Sequence, residues 1–452
     1  MAVTPEQLTA STPRIHPAWW VAVAAFLTSI GAAGFRSVPG VLIHPLHTEF
    51  GWSIGLISSA VSINLVLYGL AAPFSAALMS RVGVKRVVSS ALLLVAVGSL
   101  LPIWMTSPWQ LLLCWGVLVG AGTGAMAMSF VAVVSGRWFI ARRGLVTGVL
   151  TAAGATGQLI FLPILAALET HHGWRSAALV TTIACLLVVP IVVWRLHDSP
   201  ASIGVTPYGA PAGTPIAPPA RTGRPVGSAL SALRDASRTG VFWLLVGSFA
   251  ICGMSTNGLV GTHFIPAAHD HGMPETAAAG LLALVGLFDV VGTIFSGWLT
   301  DRFDPRWLLG VYYLGRGSSL FVLPTLFSDS VHPNMFVFIL FYGLDWVATV
   351  PPTIALCRIA FGDRGPIVFG WVFASHQLGA AIAAGLAGLV RDKLGNYDLA
   401  WFVAGGLCIA AAAMCLAVRP AGSDRARDRQ MLEFQPDAGV AAPADRPERQ
   451  HL

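Results

Sequence analysis

Four residues charged at neutral pH stand inside long apolar stretches of this sequence: Arg36, Asp289, Arg316 and Asp345. A charge at the centre of a bilayer costs about 2.5–3.5 kcal/mol on insertion scales, so each needs a chemical reason. Asp289 lies about 15 Å, at the helical rise, from the nearer end of its stretch. Burial disfavours a charged carboxylate, so a group there can load and release a proton near neutral pH. The alternative for Asp289 is a permanent salt bridge with Arg316. Asp345 is central in Gly343-Leu344-Asp345-Trp346, and Pro351-Pro352 must bend or end the helix beyond it. Pairing with Arg316 competes there with substrate or proton duty, and Arg316 itself reads as a structural charge. Arg36 offers a forked donor that suits a carboxylate, or else it merely snorkels to the interface. His263 and His376 also fall in apolar stretches and can titrate near neutral pH. A lone histidine on a helix is more often a hydrogen-bonded packing residue, and Gln158 and Gln377 are weaker polar candidates still.

The elements that must position these groups follow from composition. The chain has 452 residues, 55% hydrophobic and only 11% charged, against about 25% charged in an ordinary soluble domain. Disorder and small disulfide scaffolds are excluded by the same figures. A helix needs about 20 mostly apolar residues to cross about 30 Å of hydrocarbon. Twelve such runs lie near 19–43, 54–78, 87–105, 109–135, 144–168, 176–196, 239–263, 277–299, 307–327, 334–357, 366–389 and 399–418. They are continuous rather than alternating, so they are helices, here called spans 1 to 12, and not strands of a barrel. Span 1 is too long for a signal peptide, and no small-residue cleavage site follows it.

Of the 27 basic residues, 22 fall on one side of the membrane by this count and three, Arg175, Arg391 and Lys393, on the other. Arg36 and Arg316 lie within spans. The positive-inside rule makes the richer side cytoplasmic and puts both termini there, which agrees with an even number of crossings. The scatter of single basic residues among apolar runs is unlike a nucleic-acid-binding face. All six Cys lie in or at the end of apolar runs and read as buried small hydrophobes. His44, His47, His171, His172, His269 and His271 form loop pairs without partners for a metal. The run Gly120-Ala121-Gly122-Thr123-Gly124-Ala125 lacks a preceding strand, so close helix packing is preferred to a dinucleotide loop. No Walker motif, nucleophile–base set or metal cluster occurs, so neither an enzyme nor a cofactor is expected. The absence of an Asn-x-Ser/Thr sequon favours a bacterial inner membrane.

Residues 198–238 are rich in Pro, Gly and Ser and read as a flexible cytoplasmic linker. They separate an N-terminal bundle of six helices (1–197) from a C-terminal one (239–420), and a disordered tail follows (421–452). The halves repeat at an offset of 221: Arg81 onto Arg302, Lys85 onto Arg306, Arg137 onto Arg358, and Arg143-Gly144 onto Arg364-Gly365. Arg36 falls on Asn257, and Tyr68 on Asp289. Both halves start on the same side, so the repeat is parallel, about an axis along the membrane normal.

That architecture resembles the major facilitator superfamily. The loop Ser80-Arg81-Val82-Gly83-Val84-Lys85-Arg86 is similar to the family's signature between helices 2 and 3, with Ser80 where the family has Asp. The second copy, ending Asp301-Arg302-Phe303-Asp304, keeps the acid. These loops imply gating roles for Arg81, Lys85, Arg86, Asp301 and Arg302, with the charge latch resting on Asp301. Within the superfamily the chain resembles the monocarboxylate-transporter branch and its bacterial relatives. It carries Phe35-Arg36-Ser37, Glu49-Phe50-Gly51-Trp52-Ser53, Gly173-Trp174-Arg175 and Pro207-Tyr208-Gly209. The branch has an Asp on span 8 with Arg four residues later. Asp289 is present, but Thr293 occupies the second position, so Arg36 or Arg316 would supply the positive charge.

The expected protein is therefore an all-α, twelve-span monomer in the bilayer. It would move a small organic anion, a monocarboxylate above all, together with protons by alternating access. Arg36, Asn257, Tyr68 and His376 would touch substrate, and Asp289 and Asp345 would carry protons. An exporter of amphipathic drugs or metabolites is the other reading, since Phe and Trp are plentiful and two midplane acids could hold a cation.

Overall fold

The computed structural model describes residues 15–216 and 224–419. It is helical almost throughout, and among the described residues the only strand-like feature is an isolated bridge between Phe139 and Tyr208. Nine described stretches are long and apolar enough to cross a bilayer. One of them, Pro333–Leu394, reverses at Gly362, whose φ of 56° takes the left-handed turn, and so holds spans 10 and 11. Span 1 is the continuous helix Pro17–Phe50. Span 9, Pro305–Val322, carries Arg306 and Arg316 and completes the twelve.

The remaining spans are Ile54–Val82, Val84–Trp104, Pro108–Trp138, Arg143–His172 and Trp174–Arg195 in the first half. In the second they are Gly240–Asp270, Glu275–Thr300 and Asp398–Ala417. Several helices outrun their apolar runs. His47, His171, His172 and His269 consequently sit on final helical turns, not in loops. Many hydroxyls within the spans are satisfied by their own helix, as when Thr123 and Thr181 donate to the carbonyls four residues back. Pro73, Pro163 and Pro190 lie inside helices, where packing against neighbours compensates the missing N–H groups.

The two halves meet along two seams. Span 5 packs on span 8, where Gly144 and Gly148 lie against the backbone of Gly297 and Thr293. Span 2 packs on span 11, where Gly370 lies against Pro73. The 221 offset carries one seam onto the other. Within the first half Gly120, Gly122 and Gly124 abut the backbones of spans 2 and 3, as close helix packing requires. Exposed Trp20, Trp194, Trp243 and Trp307 ring the end with the basic loops, and Trp104 and Trp109 the opposite end. Such belts mark the two interfaces of a bilayer.

The sequence motifs lock to one another. Glu49 accepts hydrogen bonds from the Trp174 indole at 2.6 Å and from both terminal nitrogens of Arg175 at 3.0 and 2.6 Å. Ser53 caps span 2 by accepting from Leu56 N–H. Asp270, 221 residues after Glu49, pairs in the second half with Arg391 at 2.7 Å, although the offset carries Arg175 onto Asn396. The expected flexible linker is partly ordered. Tyr208 packs edge-on to Trp19 and exchanges backbone hydrogen bonds with Trp138 and Ile140. A helix, Pro225–Ala236, buries Ala229, Ala232 and Ala236 against spans 2 and 11. Small residues at that spacing form one face, which is why this stretch folds despite the surrounding Pro and Gly. The tail from 420 onward lies outside the described residues.

Candidate functional site

Span 10 is broken at the centre of the protein. Helix Pro333–Asp345 ends, Trp346 to Thr349 form turns, and Val350–Phe361 resumes. Pro351 and Pro352 carry no N–H, so the carbonyls of Val347 and Ala348 lose their helical donors, and the turn before them frees those of Asp345 and Trp346. Other side chains satisfy the freed groups. Arg316 donates through Nη2 to the carbonyls of Asp345 at 2.6 Å and Trp346 at 3.2 Å, and Ser296 donates to Ala348 O at 2.5 Å. Arg316 Nε also meets Asp345 Oδ2 at 2.6 Å, with Arg316 completely buried. The structural reading of Arg316 is the one the geometry matches, and neither member of this pair lines the central cavity.

The break also frees Val347 N–H, which donates to Asp289 Oδ1 at 3.0 Å. Thr293 donates to the same oxygen at 2.8 Å. Asp289 therefore has no salt bridge to Arg316, contrary to the alternative considered from sequence.

Asp289 lines a cavity of about 800 Å³, part of it open to solvent, between the two halves. Tyr68 of span 2, with Thr151 and Gln158 of span 5, forms one wall. Asn257 and Cys252 of span 7, and Phe373, His376 and Gln377 of span 11, form the other. Tyr68 and Phe373 touch edge-to-face across the halves, with ring centroids 5.4 Å apart. The His376 ring lies between Phe249 and Phe373, and its Nδ1 has no hydrogen-bond partner. Asn257 belongs to a π-helical stretch, Met254–Val260, within span 7. Such wide turns recur at functional sites.

Four residues expected at the site (Tyr68, Asn257, Asp289 and His376) thus converge on one cavity, and Gln158 and Gln377 join them. Asp345 is held instead by Arg316. The Arg36 side chain lies outside the described residues, although its backbone continues span 1. His263 is a packing residue: its Nε2 lies 2.9 Å from Ala384 O and its ring faces Tyr397. Thr256, Thr349 and Trp346 are further cavity residues that the sequence did not single out. The π turn and the broken helix that present them leave no mark in hydropathy.

The end with the basic loops is shut by Asp301. Its carboxylate crosses from span 8 to the start of span 5 and accepts from Gly144 N–H at 2.6 Å and Leu145 N–H at 2.9 Å. Arg358 crosses the other way, donating to Gly136 O at 3.0 Å. The repeat-related Ser80 does not cross: it accepts from Arg137 within its own half at 3.1 Å. The place that would receive its bonds holds Gly365, whose N–H already donates to Gly362 O, and Pro366, which has no N–H. Arg302 folds onto Trp298 of its own span, 3.8 Å from the ring centroid. Lys85 contributes its backbone N–H to Asp198, and Arg81 and Arg86 are exposed.

The model of the Major Facilitator Superfamily matches residues 21–360 and, in a second match, 250–444. The chain is 24% identical over 399 residues to an uncharacterized MFS-type transporter, YcxA, of Bacillus subtilis, covering 86% of this chain and 91% of that protein. It is 26% identical over 402 residues to monocarboxylate transporter 13 of Bos taurus, covering 87% of each. Among solved structures, the E. coli fucose:proton symporter FucP superposes with a TM-score of 0.63 at 17% identity, over 88% of this chain and 98% of that one. The proton:xylose symporter XylE superposes with a TM-score of 0.65 at 16% identity, over 88% and 94%. At these identities the structural likeness speaks for the fold.

Proposed function

The chain belongs to the Major Facilitator Superfamily and is a membrane transporter rather than an enzyme, and from that premise we propose that it moves a small organic anion, foremost a monocarboxylate, together with protons. The observation that carries this reading is the cavity between the halves, walled by both and holding Asp289 and His376. An ionised Asp289 would repel a carboxylate across a low-dielectric cavity. Protonating Asp289 removes that repulsion, so anion and proton bind best together. Asn257, Gln158 and Gln377 supply neutral donors, and Arg36 on span 1 the positive charge. The name of the relatives that are monocarboxylate transporters supports the anion, and the names of FucP and XylE support coupling to protons.

Transport then follows from rocking of one half against the other along the two glycine-rich seams, with the Asp301 latch opening as the opposite end closes. The basic loops would face the cytoplasm of a bacterial inner membrane, with the protein acting as a monomer.

Proteoliposome uptake of radiolabelled pyruvate or lactate, driven by an inward proton gradient, tests the proposal. Uptake that collapses with a protonophore is expected. Absence of flux for a panel of monocarboxylates, with gradient-driven expulsion of amphipathic cations instead, would replace it by the efflux reading. The aromatic wall of Phe249, Phe373 and Trp346 beside Asp289 is the feature favouring that second reading.

A further inference from the structure

A second pocket lies between the halves, at the shut end. It encloses about 790 Å³, part of it open to solvent, and includes Arg143, Thr147, Asp301, Ala355 and Arg358. Two guanidiniums from opposite halves therefore border one space. Arg143, at the start of span 5, uses only Nε in a described bond, to Phe139 O at 2.6 Å. Arg358, on span 10, uses only Nη1, to Gly136 O at 3.0 Å. Each guanidinium has five N–H donors, so most of them have no described acceptor. Both residues line the pocket and are only partly buried.

Two carboxylates, Asp301 near Arg143 and Asp363 near Arg358, act on the guanidiniums from a distance, yet neither forms an ion pair with them. Asp301 is the carboxylate in the pocket, and both of its oxygens already accept backbone N–H groups of Gly144 and Leu145. The two guanidiniums are within electrostatic reach of each other. Half-buried like charges with spare, forked donors form a receptor for a small oxyanion.

We propose that this pocket is an anion site distinct from the central cavity, taking a small carboxylate or phosphate between Arg143 and Arg358. Because the two arginines belong to different halves, the bound anion bridges span 5 and span 10 and adds to the Asp301 latch. It holds the basic end shut, so its occupancy sets how readily that end opens. The site goes beyond the transport reading, since it does not require the anion held there to be the one carried.

The test uses the full chain in detergent micelles at constant ionic strength, with sodium chloride replaced stepwise by sodium phosphate or sodium acetate. A saturable rise in Tm is expected for one or both anions, and comparing them separates a phosphate site from a carboxylate site. Arg143→Gln and Arg358→Gln should each weaken the apparent affinity at least tenfold, while Arg234→Gln, exposed on the helix between the halves, keeps the response. In a second readout, Ala355→Cys places a thiol on the pocket wall. Its alkylation by a maleimide should slow at least fivefold with the effective anion, and not in the Arg143→Gln background. Equal anion responses in the unsubstituted protein and in Arg143→Gln, by Tm and by alkylation alike, would overturn the site. If Arg358→Gln fails to fold, the Arg143→Gln comparison decides alone.

Discussion

Thr293 donates a hydrogen bond of 2.8 Å to Asp289 from one helical turn further along span 8. That position holds arginine in the branch the sequence resembles. A neutral hydroxyl there leaves Asp289 without a counter-charge in its own helix, and the second bond to Oδ1 comes from a backbone N–H that exists only because span 10 is broken. The acid is thus positioned by neutral donors and faces the cavity.

Asp289→Asn keeps the shape and the bond from Val347 N–H but cannot release a proton. Gradient-driven uptake should fall at least tenfold. Exchange of substrate at equal pH on both sides, which needs no net proton movement, should persist. Counterflow and gradient-driven assays on the same proteoliposomes separate the two.

Arg316 ties Asp345 and two carbonyls of the broken span. Removing one member of a buried pair leaves an uncompensated charge and costs about 3–5 kcal/mol. Arg316→Met should lower Tm in detergent accordingly. Arg316→Lys should rescue little, because an ammonium cannot reproduce the fork that reaches side chain and backbone together.

Asp301→Ala removes two hydrogen bonds to a charged group, each worth about 1.5–3 kcal/mol. A cysteine at Thr147, inside the gate, should then react faster with a membrane-impermeant maleimide applied from the basic-loop side. Ser80→Asp should not restore protection, since Gly365 N–H is already used and Pro366 has none.

Arg175 and the Trp174 indole hold the Glu49 carboxyl below the usual carboxylate range, and Arg306 does the same for Asp304. A depressed value means that the folded state favours the ionised form. The stabilisation is present above the ordinary carboxylate pKa of about 4 and is lost as pH falls through the depressed value. Both pairs are partly exposed, so each contributes at most about 1 kcal/mol. Glu49→Gln should lower Tm slightly at pH 7, and the difference should shrink as pH falls below about 4, as thermal unfolding across that range would register.

Hydropathy alone made the spans legible, and the 221 offset made the repeat legible, because bilayer thickness and gene-level duplication both write themselves along the chain. Convergence of Tyr68, Asn257 and Asp289 could be read from the same offset, since repeat-related helices line one axis. The partner of Arg316 could not be settled. Asp289 and Asp345 are both within reach by depth, and the choice depends on the rotation of spans 8 and 10 about their own axes. The acceptors at the gate were hidden for a different reason: Gly144 and Leu145 offer Asp301 only backbone N–H groups, which carry no residue signature. The partial order of the linker came from Ala229, Ala232 and Ala236, a face too small to stand out among prolines.

The π-helical stretch Met254–Val260 holds an extra residue in its turn compared with the α-helix on either side. An α-helical residue advances the helix by about 100°. Letting that surplus slip along span 7 would therefore swing Asn257 a quarter-turn away from the cavity while the helix stays hydrogen-bonded. Span 7 can exchange the groups it presents by a register step, a motion separate from any tilt of the bundle that carries it.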